Sequence, residues 1–94
     1  MYDLIIIGAG PAGFGASIYA SRYKIKHLII GKEFGGQIVK TSRIENWPGF
    51  ESISGPELIQ KFSSQATKLG AEIIQDEVRK ISKKDSFFEI EELR

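Results

Sequence analysis

Leu4-Ile5-Ile6-Ile7-Gly8-Ala9-Gly10-Pro11-Ala12-Gly13 carries an apolar run straight into a turn punctuated by glycine at alternate and then third positions. Tyr2 to Ile7 is apolar except for Asp3, which reads as a strand buried on both faces, the kind found in parallel sheets. From Pro11 to Tyr23 the pattern becomes helical. Ala12, Ala16 and Ala20 recur at four-residue spacing beside Gly13, Ser17 and Ser21, a face small enough to let the helix axis lie close to a sheet. His27 to Ile30 is a second apolar run, closed by Gly31. Strand, helix and strand in this order predict a βαβ unit and an α/β, Rossmann-like fold.

In such a turn each glycine has its own task. Gly8 permits the tight exit from the strand, Gly10 lets a pyrophosphate approach the backbone, and Gly13 lets helix and strand pack closely. A bare G-x-G-x-x-G pattern also fits a plain tight turn. Here it follows an expected strand and opens an expected helix, the context that makes it a dinucleotide fingerprint. Gly8, Ala9, Gly10, Pro11, Ala12 and Gly13 are therefore the candidate phosphate-binding residues, served by the unpaired amides and positive dipole end of the helix. An acidic residue for the ribose is expected about 20 positions on. Glu33 lies at that distance from Gly13, but Gly31 and Lys32 separate it from the second strand. Two readings stay open: Glu33 turns inward to the ribose, or it is a solvated loop charge. Lys32 likewise either favours a 2′-phosphate or is an ordinary exposed lysine.

Further along, residues 35–50 look irregular, with Trp47-Pro48-Gly49 marking a turn. Ser54-Gly55-Pro56-Glu57 reads as a helix start, Leu58, Ile59, Phe62, Ala66 and Leu69 as its core-facing stripe, and Gly70 as its stop. Ala71 to Ile74, Glu77 to Ile81 and Phe87 to Ile90 read as short strands, the basis for expecting a small β-meander beside the parallel sheet. Glu91-Glu92-Leu93-Arg94 follows with no closing element.

Composition excludes several classes of function. The chain has 94 residues, with 13 Lys+Arg against 12 Asp+Glu for a net charge of +1, so no basic face for nucleic acid is expected. Hydrophobic content of 41% with 27% charged is that of an ordinary globular domain. With no cysteine there is no disulfide framework, thiolate metal site or Cys nucleophile within these residues. No metal site is expected. The run from Leu4 to Ile7 is far below the roughly 20 residues of a membrane span, and Asp3 stands where a signal peptide would carry positive charge. A cytoplasmic location without membrane contact is the expectation.

Gly35-Gly36-Gln37-Ile38, Ile44-Glu45-Asn46-Trp47-Pro48-Gly49-Phe50 and Ile53-Ser54-Gly55-Pro56-Glu57-Leu58, taken with the glycine turn and with Ala16, Tyr19 and Ala20, resemble the FAD domain of bacterial thioredoxin reductases. Gly70-Ala71-Glu72-Ile73-Ile74 with Glu77-Val78 fits the same pattern, and the resemblance weakens after about Ser82. It implies FAD in this first nucleotide site. Gly8 to Gly13 would hold the pyrophosphate, Glu33 or its neighbours the adenosine ribose, and Val78 the adenine through its backbone. Gly36 and Gln37 would line the flavin side, with Asn46 close to the isoalloxazine or ribityl chain. Gly36 suits close backbone approach, and the amides of Gln37 and Asn46 supply donors and acceptors. Each has a plainer reading: Asn46 as a turn cap before Trp47-Pro48, and Gln37 as an exposed loop amide. Trp47 reads as a core or turn anchor, and His27 as structural.

The resemblance further implies an enzyme that passes electrons from NADPH through FAD to the disulfide of thioredoxin or a similar small disulfide protein, as a homodimer. Family members run to roughly two or three ordinary domain lengths. They carry an NADPH domain, a redox-active Cys-x-x-Cys and a late Gly-Asp segment that returns to the flavin. None of these lies in residues 1–94, which are expected to be the amino-terminal part of an FAD/NAD(P)-binding domain, inactive alone and without catalytic residues of its own. Two alternatives are a related flavoprotein without the dithiol, of the ferredoxin–NADP reductase type, and a non-catalytic nucleotide-binding module.

Overall fold

β-branched isoleucine dominates the first two apolar runs, and in the computed structural model, which describes residues 1–93, these runs pair side by side. The elements in chain order are β1 (Leu4–Ile7), α1 (Pro11–Arg22), β2 (His27–Gly31), a 3₁₀ turn (Gly36–Lys40), α2 (Gly55–Lys68), β3 (Glu72–Gln75), β4 (Val78–Lys83) and β5 (Phe88–Glu92). β2 lies between β1 and β3 in a three-stranded parallel sheet, with Ile6 opposite Ile29 and Ile29 opposite Ile73. β4 and β5 form a separate antiparallel hairpin with Ile81 opposite Ile90. The three short strands expected after residue 70 thus divide: the first joins the sheet and the other two make the antiparallel unit.

β2 is buried along its whole length. β1 departs from the expectation of burial on both faces. Only Ile6 is buried, while Leu4 and Ile7 are exposed, Ile7 to 50%. The reason is position, since β1 is an edge strand with a partner on one side among the described residues.

α1 starts with Gly10 as N-cap and Pro11 in its first turn, and ends at the cap residue Tyr23. Its buried residues are Phe14, Ser17 and Ala20. Ala12 and Ala16 face outward, so only part of the expected small face packs. The part turned to the sheet runs through Gly13, Ser17 and Ala20. It is still a face of small residues, and the helix still sits close.

Ile6, Ala9, Phe14, Ile29, Ile59 and Ala66 form the main core, with Ile73 and Phe62 packed against it. Burial of a side chain such as Ile29 or Phe14 stabilises the fold by about 1.5–3 kcal/mol. A second cluster of Ile44, Ile53 and Leu58 lies under the long loop before α2. Ile44 and Ile53 exchange backbone hydrogen bonds of 2.7 and 3.0 Å, closing that loop at its base. Trp47 packs on Phe62 with ring centroids 5.0 Å apart, which makes it the anchor expected of it.

α2 begins as its sequence predicts. Ser54 accepts a hydrogen bond from the Glu57 amide at 3.3 Å, an N-cap, and its hydroxyl also donates to the Glu57 carboxylate at 3.0 Å. Leu58, Ile59 and Ala66 are buried, and Gly70 follows the C-cap at φ +102°. Leu69 belongs to the cap, beyond the last helical turn, and is exposed where a core position was expected. Among the described residues no helix is long and apolar enough to cross a membrane.

Candidate functional site

The glycine turn sits where β1 gives way to α1, at the carboxyl end of the parallel sheet. In open α/β sheets ligands collect at that end. Gly8 adopts φ +123° and donates its amide to the Ile30 carbonyl at 2.8 Å, so the chain leaves β1 while still tied to β2. A side chain at this φ would be strained, which accounts for glycine here. At the far side of the turn, a Cβ on Gly13 would lie 2.0 Å from the Gly8 carbonyl oxygen. No other residue permits that approach without backbone movement.

The start of α1 is prepared for an anion. Gly10 caps it without a side-chain hydrogen bond, and its first turn holds no acidic residue. The amides of Ala12 and Gly13 therefore have neither an intrahelical carbonyl nor a cap, and they sit at the positive end of the helix dipole. Pro11 brings no amide, consistent with a position where none is needed. Ala9 is buried, Gly10, Pro11 and Gly13 are half-buried, and Gly8 and Ala12 face solvent. A phosphate-bearing group fits this turn on each count: open space beside Gly8, donors without partners, and no competing negative charge.

Two further segments join the turn. The Gly35 amide donates to the Ala9 carbonyl at 2.7 Å, so the segment leading into the 3₁₀ turn is tied to the glycine turn. Gly36 is half-buried with open space beside its Cα, and Gln37 is exposed. Gln37 and Asn46 line one cavity of about 580 Å³, together with Ile38, Thr41, Ile44 and Trp47. The Asn46 side chain makes no hydrogen bond to the described residues, so it does not cap the following turn, which is closed instead by the Phe50 amide on the Trp47 carbonyl at 3.3 Å. Arg43 and Glu45 pair with each other at 2.9 Å at the edge of this cavity.

The end of β2 also meets the turn. Gly31 abuts Ala9 so closely that a Cβ on Gly31 would stand 2.5 Å from the Ala9 Cβ. The Asp76 amide donates to the Gly31 carbonyl at 3.0 Å, which brings the β3–β4 connection up to the end of β2. Lys32 pairs with Glu77 at 3.8 Å, and Val78, half-buried, follows at the start of β4. Glu33 is exposed beside them and pairs with no described residue. The expected residues thus fall in two groups, Gly36, Gln37 and Asn46 along the segment tied to Ala9 through Gly35, and Glu33 and Val78 near the end of β2.

Three buried polar residues, one beside this site and two farther down α1 and β2, have no motif to announce them. Asp76 is buried and accepts a hydrogen bond from the Glu77 amide at 2.7 Å, which shapes the connection beside Gly31. Its only sequence signal is its place between two short strands. Ser17 and His27, both buried, share a hydrogen bond of 2.7 Å between α1 and β2. Among the described residues, no group of three His, Cys, Asp or Glu side chains is arranged to hold a metal ion.

Comparison with known proteins extends this picture. Residues 2–92 match the family described as pyridine nucleotide-disulphide oxidoreductase. A thioredoxin reductase of Bacillus subtilis is 48% identical over 82 residues, which cover 86% of this chain and 26% of that relative. The crystal structure of a Lactococcus lactis thioredoxin reductase superposes with a TM-score of 0.94 at 38% identity, covering 99% of this chain and 31% of that one. A ferredoxin-flavin thioredoxin reductase from Clostridium acetobutylicum superposes at 0.84 with 30% identity, covering 99% and 33%. The chain spans between a quarter and a third of the length of these proteins.

Proposed function

The chain belongs to the pyridine nucleotide-disulphide oxidoreductase family, and from that membership we propose that it is the FAD-binding portion of a thioredoxin-disulfide reductase. The observation that carries the reading is the glycine turn itself, with the uncapped, acid-free start of α1 and, along the two segments tied to it, the polar side chains of Gln37, Asn46 and Glu33. One anion-binding centre with two polar arms suits a dinucleotide whose pyrophosphate joins two unlike halves.

In this reading the amides of Ala12 and Gly13 donate to the pyrophosphate, and Gly8, Ala9, Gly10 and Pro11 shape the approach. Glu33 accepts from the adenosine ribose, and the Val78 backbone meets the adenine. Gly36, Gln37 and Asn46 meet the flavin half, where the amide side chains hold its polar edge or the ribityl hydroxyls. The bound FAD supplies two-electron redox chemistry. The residues of this chain bind and orient it, and the apolar floor of Ile38, Ile44 and Trp47 limits water on that side.

The whole protein would take electrons from NADPH and deliver them to the disulfide of thioredoxin or a similar small protein, as a homodimer in the cytoplasm. The donor is the part of this reading with a specific rival, because a relative of similar fold is a ferredoxin-flavin thioredoxin reductase. Purified whole protein loaded with FAD should reduce thioredoxin with NADPH. Reduction with ferredoxin and none with NADPH would replace the donor. Failure to retain FAD would refute the cofactor assignment.

A further inference from the structure

We propose that Ser17 and His27 are a positioning pair for the dinucleotide groove, fixing α1 at one height along β2; the inference rests on the dinucleotide reading above. The His27 Nδ1 lies 2.9 Å from the Ile25 carbonyl oxygen, and a carbonyl only accepts, so Nδ1 carries the proton. In the neutral ring Nε2 is then bare, and the Ser17 hydroxyl, 2.7 Å away, donates to it. Ser17 is 0% and His27 6% exposed, so the pair is closed to solvent.

The placement gives the pair its purpose. Ser17 lies four residues after Gly13, just over one helical turn, or about 6 Å, below the phosphate-binding end of α1. His27 begins β2, whose other end is Gly31, beside Glu33. The contacts higher up, Gly13 on Gly8 and Gly31 on Ala9, are between groups with little or no side chain. Such smooth surfaces hold a helix close, Phe14 packs into the core beside them without a directional bond, and the Ser17–His27 hydrogen bond adds a fixed offset to that packing. Among the described residues, the Ser17–His27 bond is the side-chain hydrogen bond joining α1 to β2, and its direction selects one offset. That offset sets the height of the Ala12 and Gly13 amides against the end of β2.

The test is an FAD titration of the full chain, followed by flavin fluorescence, for wild type, Ser17→Ala, His27→Leu and the double variant. Circular dichroism at the same temperature reports the folded fraction of each. Each single change should weaken FAD binding about five-fold, and the double change no further, as expected for one shared hydrogen bond. Single variants that melt lower yet bind FAD like wild type would overturn the proposal, as would effects that multiply in the double variant. A wild type that binds no FAD would instead overturn the dinucleotide reading and the inference with it. Should a variant not fold, the wild type still decides, through the ¹⁵N spectrum of His27. The Nδ1–H tautomer and a shift of Nε2 on adding FAD are expected, and the other tautomer, or no shift on saturation, would overturn the pair.

Discussion

Gly13 approaches Gly8 across the turn so closely that a Cβ on Gly13 would stand 2.0 Å from the Gly8 carbonyl oxygen and 3.6 Å from the Ile6 side chain. The neighbour that would have to yield is backbone, and Gly8 is held by its own hydrogen bond to Ile30. Gly13→Ala therefore has to move α1 away from β1. The expected cost is about 1–3 kcal/mol of stability, the range for overpacking a close contact. FAD affinity should fall as well, because the amides that receive the phosphates move with the helix. Chemical denaturation and flavin fluorescence on the same preparation measure both.

Ala12 separates what the helix start does for the fold from what it does for a ligand. Its side chain faces solvent and its amide lies in the acid-free first turn. A carboxylate in that turn favours the helix by about 0.3–1 kcal/mol through the dipole. The same charge repels a pyrophosphate seated on those amides. Ala12→Glu should thus hold or raise the melting temperature while weakening FAD binding about tenfold or more, with the loss shrinking as salt rises. Equal affinity for FAD in the variant and wild type would place the phosphates elsewhere.

How far the sequence could be read depended on how many arrangements each pattern allowed. The β1–α1–β2 unit was legible because strand, glycine turn and helix have one sensible order, and α2 because Ser54, Glu57 and Gly70 mark both its ends. The packing face of α1 was not, since small residues occupy two adjacent stripes of the helix and either satisfies close approach to a sheet. Ala12, Ala16 and Ala20 beside Gly13, Ser17 and Ser21 read as one small face, and of these Gly13, Ser17 and Ala20 turn inward. The half-exposure of β1 has no signal in the sequence for a different reason: an apolar run records what can be buried and not how many neighbours the strand has. Of the candidate site, the glycine turn is legible from its spacing together with the strand before it and the helix after it. The cavity shared by Gln37 and Asn46 depends on the loop closed by Ile44 and Ile53, a pairing across residues with no local signal.

At the opposite end of the sheet, Tyr2 donates its hydroxyl to the Glu72 carboxylate, with the Lys26 ammonium over the Tyr2 ring at 5.4 Å. The hydrogen bond to Glu72 holds the Tyr2 phenol above its usual value of 10.0. A group with a raised folded-state value contributes stability below its unfolded value and loses that contribution as pH rises through the folded one. The contribution should therefore be complete below about pH 10 and disappear above it. Unfolding of wild type and Tyr2→Phe, compared from pH 8 to 11, should give a gap that narrows only at the alkaline end. A gap constant with pH would mean that Tyr2 contributes through ring packing alone.

Asn46 offers the sharpest test of the flavin side, because its two readings predict opposite outcomes. As a turn cap, its removal would cost stability and leave the cofactor alone. Its side chain, however, has no partner among the described residues and lines the cavity that Gln37 also lines. Asn46→Ala should then change stability by no more than about 0.5 kcal/mol, as for other exposed positions without a structural bond. Flavin affinity should fall about three- to tenfold, the loss of one hydrogen bond, and the flavin absorbance band of the bound form should shift as its polar environment changes. Gln37→Ala should act in the same direction, and if both amides meet one ligand their combined loss should exceed either alone. A stability loss with unchanged flavin affinity and spectrum would return Asn46 to the role of a turn residue and move the flavin away from this cavity.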